Sequence, residues 1–192
     1  MAAERPQLWI IAGPNGAGKS TLVTHRVGRR IPVVNPDEIA ATLPLAAGHI
    51  NERRAGEIAL RLRAELLDAR ASFAIETTLS GSSTFRFMTA ARMTGHKITL
   101  VYIGLSSDDL SLQRVADRVR RGGHAVPVNA VCRRYPDSMS RLAGTAAFAD
   151  RTLVLDNSGL RRRLLLSMEA GRIRFITRQL PAWFRRALPD LA

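Results

Sequence analysis

Residues Gly13-Pro14-Asn15-Gly16-Ala17-Gly18-Lys19-Ser20, followed by Thr21, fit the pattern G-x-x-x-x-G-K-[ST] of a phosphate loop. The flanks are those the motif needs. Leu8-Trp9-Ile10-Ile11-Ala12 is an apolar run that reads as a buried strand, and Lys19 to Arg29 reads as a helix. Glycines let such a loop bend until successive N–H groups converge on an anion, and the following helix N-terminus adds partial positive charge. In that frame Lys19 reaches the β- and γ-phosphates of ATP and the Ser20 hydroxyl holds Mg²⁺. A Gly-rich turn that merely precedes a helix would not need strand, glycines, Lys, Ser and helix in this order.

Outward from the loop, strand and helix alternate. Residues 7–12, 31–35, 72–76, 97–104 and 151–156 read as strands. Helical segments are expected from Pro36 to about Leu45 and over 52–70, 84–94, Ser107 to Gly122, and Pro127 to about Leu142. In the 52–70 helix, Ala55, Ile58, Ala59, Leu62, Leu66 and Ala69 share a face. Residues 160–177 read as a hairpin around Glu169-Ala170-Gly171, and 181–190 as a last short helix. The expected fold is a P-loop kinase-like, three-layer, doubly wound α/β domain with a mostly parallel sheet. Residues 1–192 make one domain, with an Arg-bearing helical lid at about 118–135 and the C-terminal hairpin and helix at about 160–190.

Hydrophobic residues make up 46% of the 192 positions, ordinary for a globular chain, and no apolar run reaches membrane-span length. No signal-peptide layout is seen and a single cysteine, Cys132, excludes an internal disulfide, so a cytoplasmic location without a membrane partner is expected. The net charge is +13, from 29 Lys+Arg against 16 Asp+Glu. Such a surplus suits nucleic acid, an acidic protein or anionic substrates. Lys19 and Lys97 are the only lysines, so the compact ammonium is kept at the phosphate loop in a chain that otherwise uses Arg.

Five further groups bear on chemistry. Asp37, in Asn35-Pro36-Asp37, follows the second strand and would face the γ-phosphate, either as a base toward an attacking hydroxyl or as a Mg²⁺ ligand; an Asn-Pro-Asp helix cap is the plain alternative. Glu76 closes the third strand as a Mg²⁺ or substrate ligand or a solvated strand end. Thr77, Thr78, Ser80, Ser82 and Ser83 suit a polyhydroxylated ligand or cap the next helix. Arg114, Arg118 and Arg121 share a helix face, Arg133 and Arg134 follow in the next helix, and Gly122-Gly123-His124-Ala125-Val126-Pro127 joins them as a hinge. Two Arg-bearing helices on a hinge suit a lid over ATP phosphates, where guanidinium groups stabilise the transferring phosphoryl. Asp156-Asn157-Ser158 contacts nucleotide or turns the chain.

Taken together, Gly13 to Thr21, Asn35-Pro36-Asp37, Ile75-Glu76-Thr77-Thr78-Leu79, Arg118 to Pro127, Arg133-Arg134-Tyr135 and Asp156-Asn157-Ser158 resemble the zeta toxin family, in family order over residues 8 to 158. The resemblance implies a P-loop small-molecule kinase using ATP and Mg²⁺, with UDP-N-acetylglucosamine phosphorylated on the 3′-hydroxyl of its amino sugar, and an antitoxin protein as partner. It implies that Asp37 is the catalytic base, that Glu76 contacts the sugar nucleotide, and that Arg118 or Arg121, with Arg134, clamps the γ-phosphate. The chain is more compact than the longer toxins and looks closer to small zeta-like members.

Three other readings compete. An ABC-type ATPase is mimicked by Leu79-Ser80-Gly81-Ser82, but Ser83 stands where Gln is expected and no apolar run ending in Asp-Glu follows. A polynucleotide or RNA-end kinase suits the charge, but aromatic content is 5%, which leaves few platforms for base stacking. A non-catalytic nucleotide-binding regulator would keep Lys19 without needing Asp37 or the arginines.

Overall fold

The computed structural model describes residues 5–23, 31–44 and 50–191. The first strand, β1 (Gln7–Ala12), pairs in parallel with β3 (Phe73–Thr77) on one side and β4 (Lys97–Gly104) on the other. β2 (Val33–Val34) adds to β3, and β5 (Arg151–Asp156) adds to β4, both in parallel. The antiparallel hairpin β6 (Arg163–Glu169) and β7 (Arg172–Ile176) completes a seven-stranded sheet in the order β2-β3-β1-β4-β5-β6-β7. Ala170 and Gly171 join the last two strands, both with positive φ, as a two-residue type I′ turn requires.

Alternation along the strands builds two faces. Leu8, Ile10 and Ala12 of β1, Phe73 and Ile75 of β3, and Ile98, Leu100 and Tyr102 of β4 point into the main core. That core is closed by α3 (Ile50–Asp68), α4 (Ser83–Met93), α7 (Leu142–Phe148) and α8 (Ala182–Ala187). Ile11, Ala74 and Val101 point the other way, against Leu22 and Val23 at the end of α1 (Lys19–Leu22). The remainder of the helix expected over 19–29 lies outside the described residues, as does the end of the one expected to run to Leu45, of which α2 (Pro36–Thr42) is seen. Among the described residues no helix is long and apolar enough to cross a membrane.

Two details differ from the sequence reading. The buried row of α3 is Ala55, Ala59 and Leu67, with Arg63 between them, whereas Leu62 and Ala69 are exposed. The two alanines allow close approach, and the Arg63 guanidinium lies over the Phe87 ring at 5.8 Å, so an arginine takes a position on the inward row. The helix expected from Pro127 to Leu142 is two. α6 (Val128–Ser140) ends at Arg141, which caps both it and α7, and the change of direction brings Leu142 and Ala146 into the main core.

Candidate active site

The phosphate loop leaves β1 pressed against β4. Gly13 has φ +140°, and a Cβ there would stand 2.1 Å from the Ile103 carbonyl oxygen, so only glycine fits. Gly18, φ +86°, turns the loop into α1, and a Cβ there would meet the Asn157 amide at 2.9 Å. Lys19 is buried, and its ammonium donates to the carbonyls of Gly13 and Pro14, both at 2.9 Å. Burial lowers its pKa from 10.5 to about 8. Glu76 and Asp37 act against that shift, while Arg118 and Arg134 reinforce it. These four side chains therefore share the electrostatic field at the Lys19 ammonium.

Ser20, next in the chain, donates its hydroxyl to the Glu76 carboxylate, with both oxygens at 3.0 Å. Asn35 Nδ2 donates to Glu76 Oε2 at 3.1 Å, while Asn35 Oδ1 accepts from the Asp37 N–H at 3.0 Å and caps α2. The cap and the site are thus the same residue: Asn35 fixes the start of the helix that carries Asp37 and also braces Glu76. Burial raises the Glu76 pKa, against the lowering effects of Lys19 and the Ser20 hydrogen bond. Asp37 is exposed at the rim.

The opposite wall comes from α5 (Asp108–Arg120), α6 and the connector between them. Ser107 caps α5 by accepting from the Leu110 N–H at 3.1 Å, and Asp108 and Asp109 occupy its first turn, where the helix dipole favours negative charge. Arg118 donates to the His124 carbonyl at 2.7 Å, which folds the connector back over the end of α5. Tyr135 of α6 donates to the Leu105 carbonyl at 2.8 Å and ties that helix to the end of β4.

These walls enclose a cleft of about 620 Å³. It is lined by Asn15, Gly16, Gly18, Lys19, Ser20 and Thr21 of the loop, by Asp37, Glu76, Thr77 and Thr78, and by Arg118, Arg121 and Arg134. Gly13, Pro14 and Ala17 lie buried within the loop beneath it. The phosphate loop, Asp37, Glu76, Thr77, Thr78, Ser80, Arg114, Arg118, Arg121 and Arg134 are therefore in the cleft or in the loop that floors it, whereas Ser82, Ser83, Arg133 and Asp156-Asn157-Ser158 do not line it. Arg121 is exposed at the C-cap of α5, whereas Arg118 and Arg134 are partly buried. Thr77 and Thr78 also hold their own loop: Thr77 Oγ1 accepts from the Leu79 N–H at 3.1 Å and lies 3.2 Å from Thr84 Oγ1, and Thr78 pairs with Ser80 at 2.9 Å. Ser82, at the N-cap of α4, makes no side-chain capping bond.

Arg114 and Ser80, both expected near the ligand, line the cleft. What escapes a reading of the sequence alone is that Asn35 braces Glu76 as well as capping its helix. Asp156 turns out to be a structural hub: buried, it accepts from Ser158 Oγ at 2.5 Å, Trp183 Nε1 at 3.1 Å and Arg163 Nε at 3.1 Å. Burial would raise its pKa, but those donors outweigh burial and leave it lowered.

The donor chemistry fits ATP and Mg²⁺. The loop presents backbone N–H groups, Lys19 and nearby arginines for phosphate oxygens, and Ser20, Glu76 and Asp37 supply the hard oxygens that Mg²⁺ prefers. Among the described residues no group of three or more His, Cys, Asp or Glu could hold a metal by itself.

Comparison with known proteins agrees with this architecture. The family model described as zeta toxin matches residues 1–163. An uncharacterized protein of Haemophilus influenzae is 31% identical over 138 residues, covering 68% of this chain and 99% of its own. Among solved structures, a chain of the AvrRxo1-ORF1:-ORF2 complex with ATP superposes with a TM-score of 0.72 at 18% identity. That match covers 89% of this chain, which spans 60% of the other. A chain of the PezAT chromosomal toxin–antitoxin system of Streptococcus pneumoniae gives a TM-score of 0.60 at 17% identity, covering 84% of this chain and 72% of its own. At these identities the structural likeness shows a shared α/β fold built on the same mostly parallel sheet.

Proposed function

The chain belongs to the zeta toxin family, and from that membership we propose an ATP-dependent phosphotransferase that moves the γ-phosphoryl group to a hydroxyl of a small molecule, a UDP-amino sugar such as UDP-N-acetylglucosamine. The observation that carries the reading is the convergence of Lys19, the Ser20–Glu76 pair, Asp37, Arg118 and Arg134 in one cleft. A nucleotide-binding regulator needs the loop, but it does not need a carboxylate at the rim facing arginines across the cleft.

In this reading ATP supplies the phosphoryl group and Mg²⁺ neutralises charge on the β- and γ-phosphates. Lys19 and the loop N–H groups bind those phosphates. Ser20, held by Glu76, and Asp37 are the oxygens available to the metal. Asp37 takes the proton from the acceptor hydroxyl as the new O–P bond forms and the bond from the γ-phosphorus to its bridging oxygen breaks, releasing ADP. Arg118 and Arg134 stabilise charge on the phosphoryl in transit. Thr77, Thr78 and the exposed Arg121 face the acceptor side. A neutralising antitoxin is the proposed protein partner, because the PezAT relative is a toxin–antitoxin system.

The test is incubation of the purified protein with γ-labelled ATP, Mg²⁺ and a panel of UDP-amino sugars, other sugar nucleotides, nucleosides and RNA 5′ ends. Label on a UDP-amino sugar is expected. Label on RNA ends alone would replace this acceptor with a polynucleotide, the alternative that the +13 charge favours. Nucleotide binding with no transfer to any acceptor would leave a regulator.

A further inference from the structure

Three side chains from outside the phosphate loop donate to carbonyls of the loop itself. Ser111 Oγ, in α5, donates to the Asn15 carbonyl at 2.5 Å. Asn157 Nδ2 donates to the Ala17 carbonyl at 2.9 Å. Arg162 Nη2 donates to the Gly18 carbonyl at 3.2 Å. Ser111 is buried, and Asn157 and Arg162 belong to the segment that joins β5 to β6.

A trans peptide is planar, with its C=O and N–H pointing in opposite directions. A carbonyl held on the outside of the loop therefore directs the N–H of the next residue inward. Holding the carbonyls of Asn15, Ala17 and Gly18 aims the N–H groups of Gly16, Gly18 and Lys19. We infer that Ser111, Asn157 and Arg162 are positioning residues that set the phosphate loop in its anion-binding shape from outside.

The joining segment is itself anchored at both ends. Asp156 and Arg163 are register partners across β5 and β6 and form an ion pair at 3.1 Å. The clamp residues Asn157 and Arg162 are the next residues inside that pair. The Asn157 N–H also donates to the Gly104 carbonyl at 3.0 Å, which fixes the segment to the end of β4. A donor on a free loop would lose side-chain and backbone entropy on binding a carbonyl, but here the backbone is already fixed. Gly18 has φ +86°, which favours glycine, and a Cβ there would press the Asn157 amide nitrogen at 2.9 Å and disturb this clamp.

The inference rests on the reading that the loop binds nucleotide phosphates. It makes the segment beyond β5 part of phosphate recognition, though it touches the loop on the face turned away from phosphate.

The test is calorimetric titration of the full chain with ADP and, separately, with inorganic tripolyphosphate, for the wild type and for Ser111→Ala, Asn157→Ala and Arg162→Ala. Each variant should bind both probes about fivefold to tenfold more weakly, the loss of one hydrogen bond. Turnover at saturating ATP should be largely kept, so that KM moves and kcat does not. Arg162→Lys, which keeps a donor, should recover part of the loss. Variants that bind both probes as the wild type does would overturn the inference. So would a loss confined to ADP, because that would mark a contact to the nucleoside. Ser111→Ala is the smallest change and decides the matter if the others fail to fold. A wild type that binds neither probe would instead refute the nucleotide reading itself.

Discussion

Ser20 Oγ lies 3.0 Å from both carboxylate oxygens of Glu76, and this contact joins the end of β3 to the phosphate loop of β1. It places the second acidic residue of the cleft on the hydroxyl proposed for Mg²⁺. The same carboxylate reaches β2 through Asn35. Three successive strand ends of the sheet, β2, β3 and β1, are thereby locked to one another at the site.

Glu76→Gln separates stability from function. Burial raises the Glu76 pKa in the folded protein, so stability falls as pH rises through that value and its ionised form weighs against folding at neutral pH. The amide should raise the melting temperature at pH 7, by about 2–4 °C for each kcal/mol relieved. The gain should vanish as pH falls into the carboxylate range. Mg²⁺-dependent nucleotide affinity should drop in the same variant. Thermal melts across pH beside Mg²⁺ titrations would check both, and a lower melting temperature at pH 7 would contradict the argument.

Lys19 should impose an alkaline limit on nucleotide binding. Its pKa of about 8 means that the ammonium is lost as pH rises above that value, well before a solvated lysine would lose it. The charged form is the one that binds phosphate. ATP affinity should therefore weaken by up to about tenfold per pH unit above 8. Lys19→Met should bind ATP weakly and show no such slope. Titrations at several pH values from 6.5 to about 9.5 would reveal it.

Asp37→Asn should lower turnover by roughly 10²–10⁴-fold, the range of general-base catalysis, with binding of nucleotide in the absence of Mg²⁺ little changed. A variant that keeps full turnover would remove Asp37 as the base. Steady-state kinetics with the acceptor found by the panel would decide.

Arg118 and Arg134 both act on the Lys19 field, and Arg121 is exposed further out. Replacing either of the first two with alanine should lower kcat by about 10²–10³-fold if it stabilises the transferring phosphoryl. Arg121→Ala should act mainly on acceptor KM. An effect of Arg118→Ala and Arg134→Ala on nucleotide KM alone would mark them as ground-state binding groups.

Asp156 should govern acid stability. Its folded pKa is depressed below the ordinary 3.8, so its contribution is present above that value and is lost as pH falls through the lower, folded one. Asp156→Ala leaves the buried Trp183 N–H without its acceptor and should cost about 1–3 kcal/mol at neutral pH. Chemical denaturation at pH 7 and at about pH 3 should show a wide gap between wild type and variant at the first and a narrower one at the second.

Much of this was legible in the sequence, because strands and loops announce themselves locally. β1, β4 and β5 were readable as apolar runs, the hairpin from its Glu169-Ala170-Gly171 turn, and the loop from its glycines. The candidate residues gathered as expected because parallel strands deliver their C-terminal ends to one rim. What sequence does not carry is contact between distant parts. Ser111, Asn157 and Arg162 meet the loop across 96, 140 and 144 residues, and no spacing rule spans such distances. The inward row of α3 departs from the hydropathy pattern for a related reason. Hydropathy favours Leu62 over Arg63, but the ring of Phe87 accepts the guanidinium. The break at Arg141 has no Gly or Pro to mark it and follows from where Leu142 must be buried.

The strand that carries Asp37 to the site has two residues and lies at the edge of the sheet, paired only with β3 among the described strands. Lys19 follows β1, which is paired on both sides. The proposed proton acceptor and the phosphate-binding lysine thus rest on supports of unequal strength. On warming, the edge should fray first, in a sub-global opening that leaves the central strands intact. Catalysis would then fail at a lower temperature than the fold, and amide exchange at Val34 would outpace exchange at Ile10 by orders of magnitude.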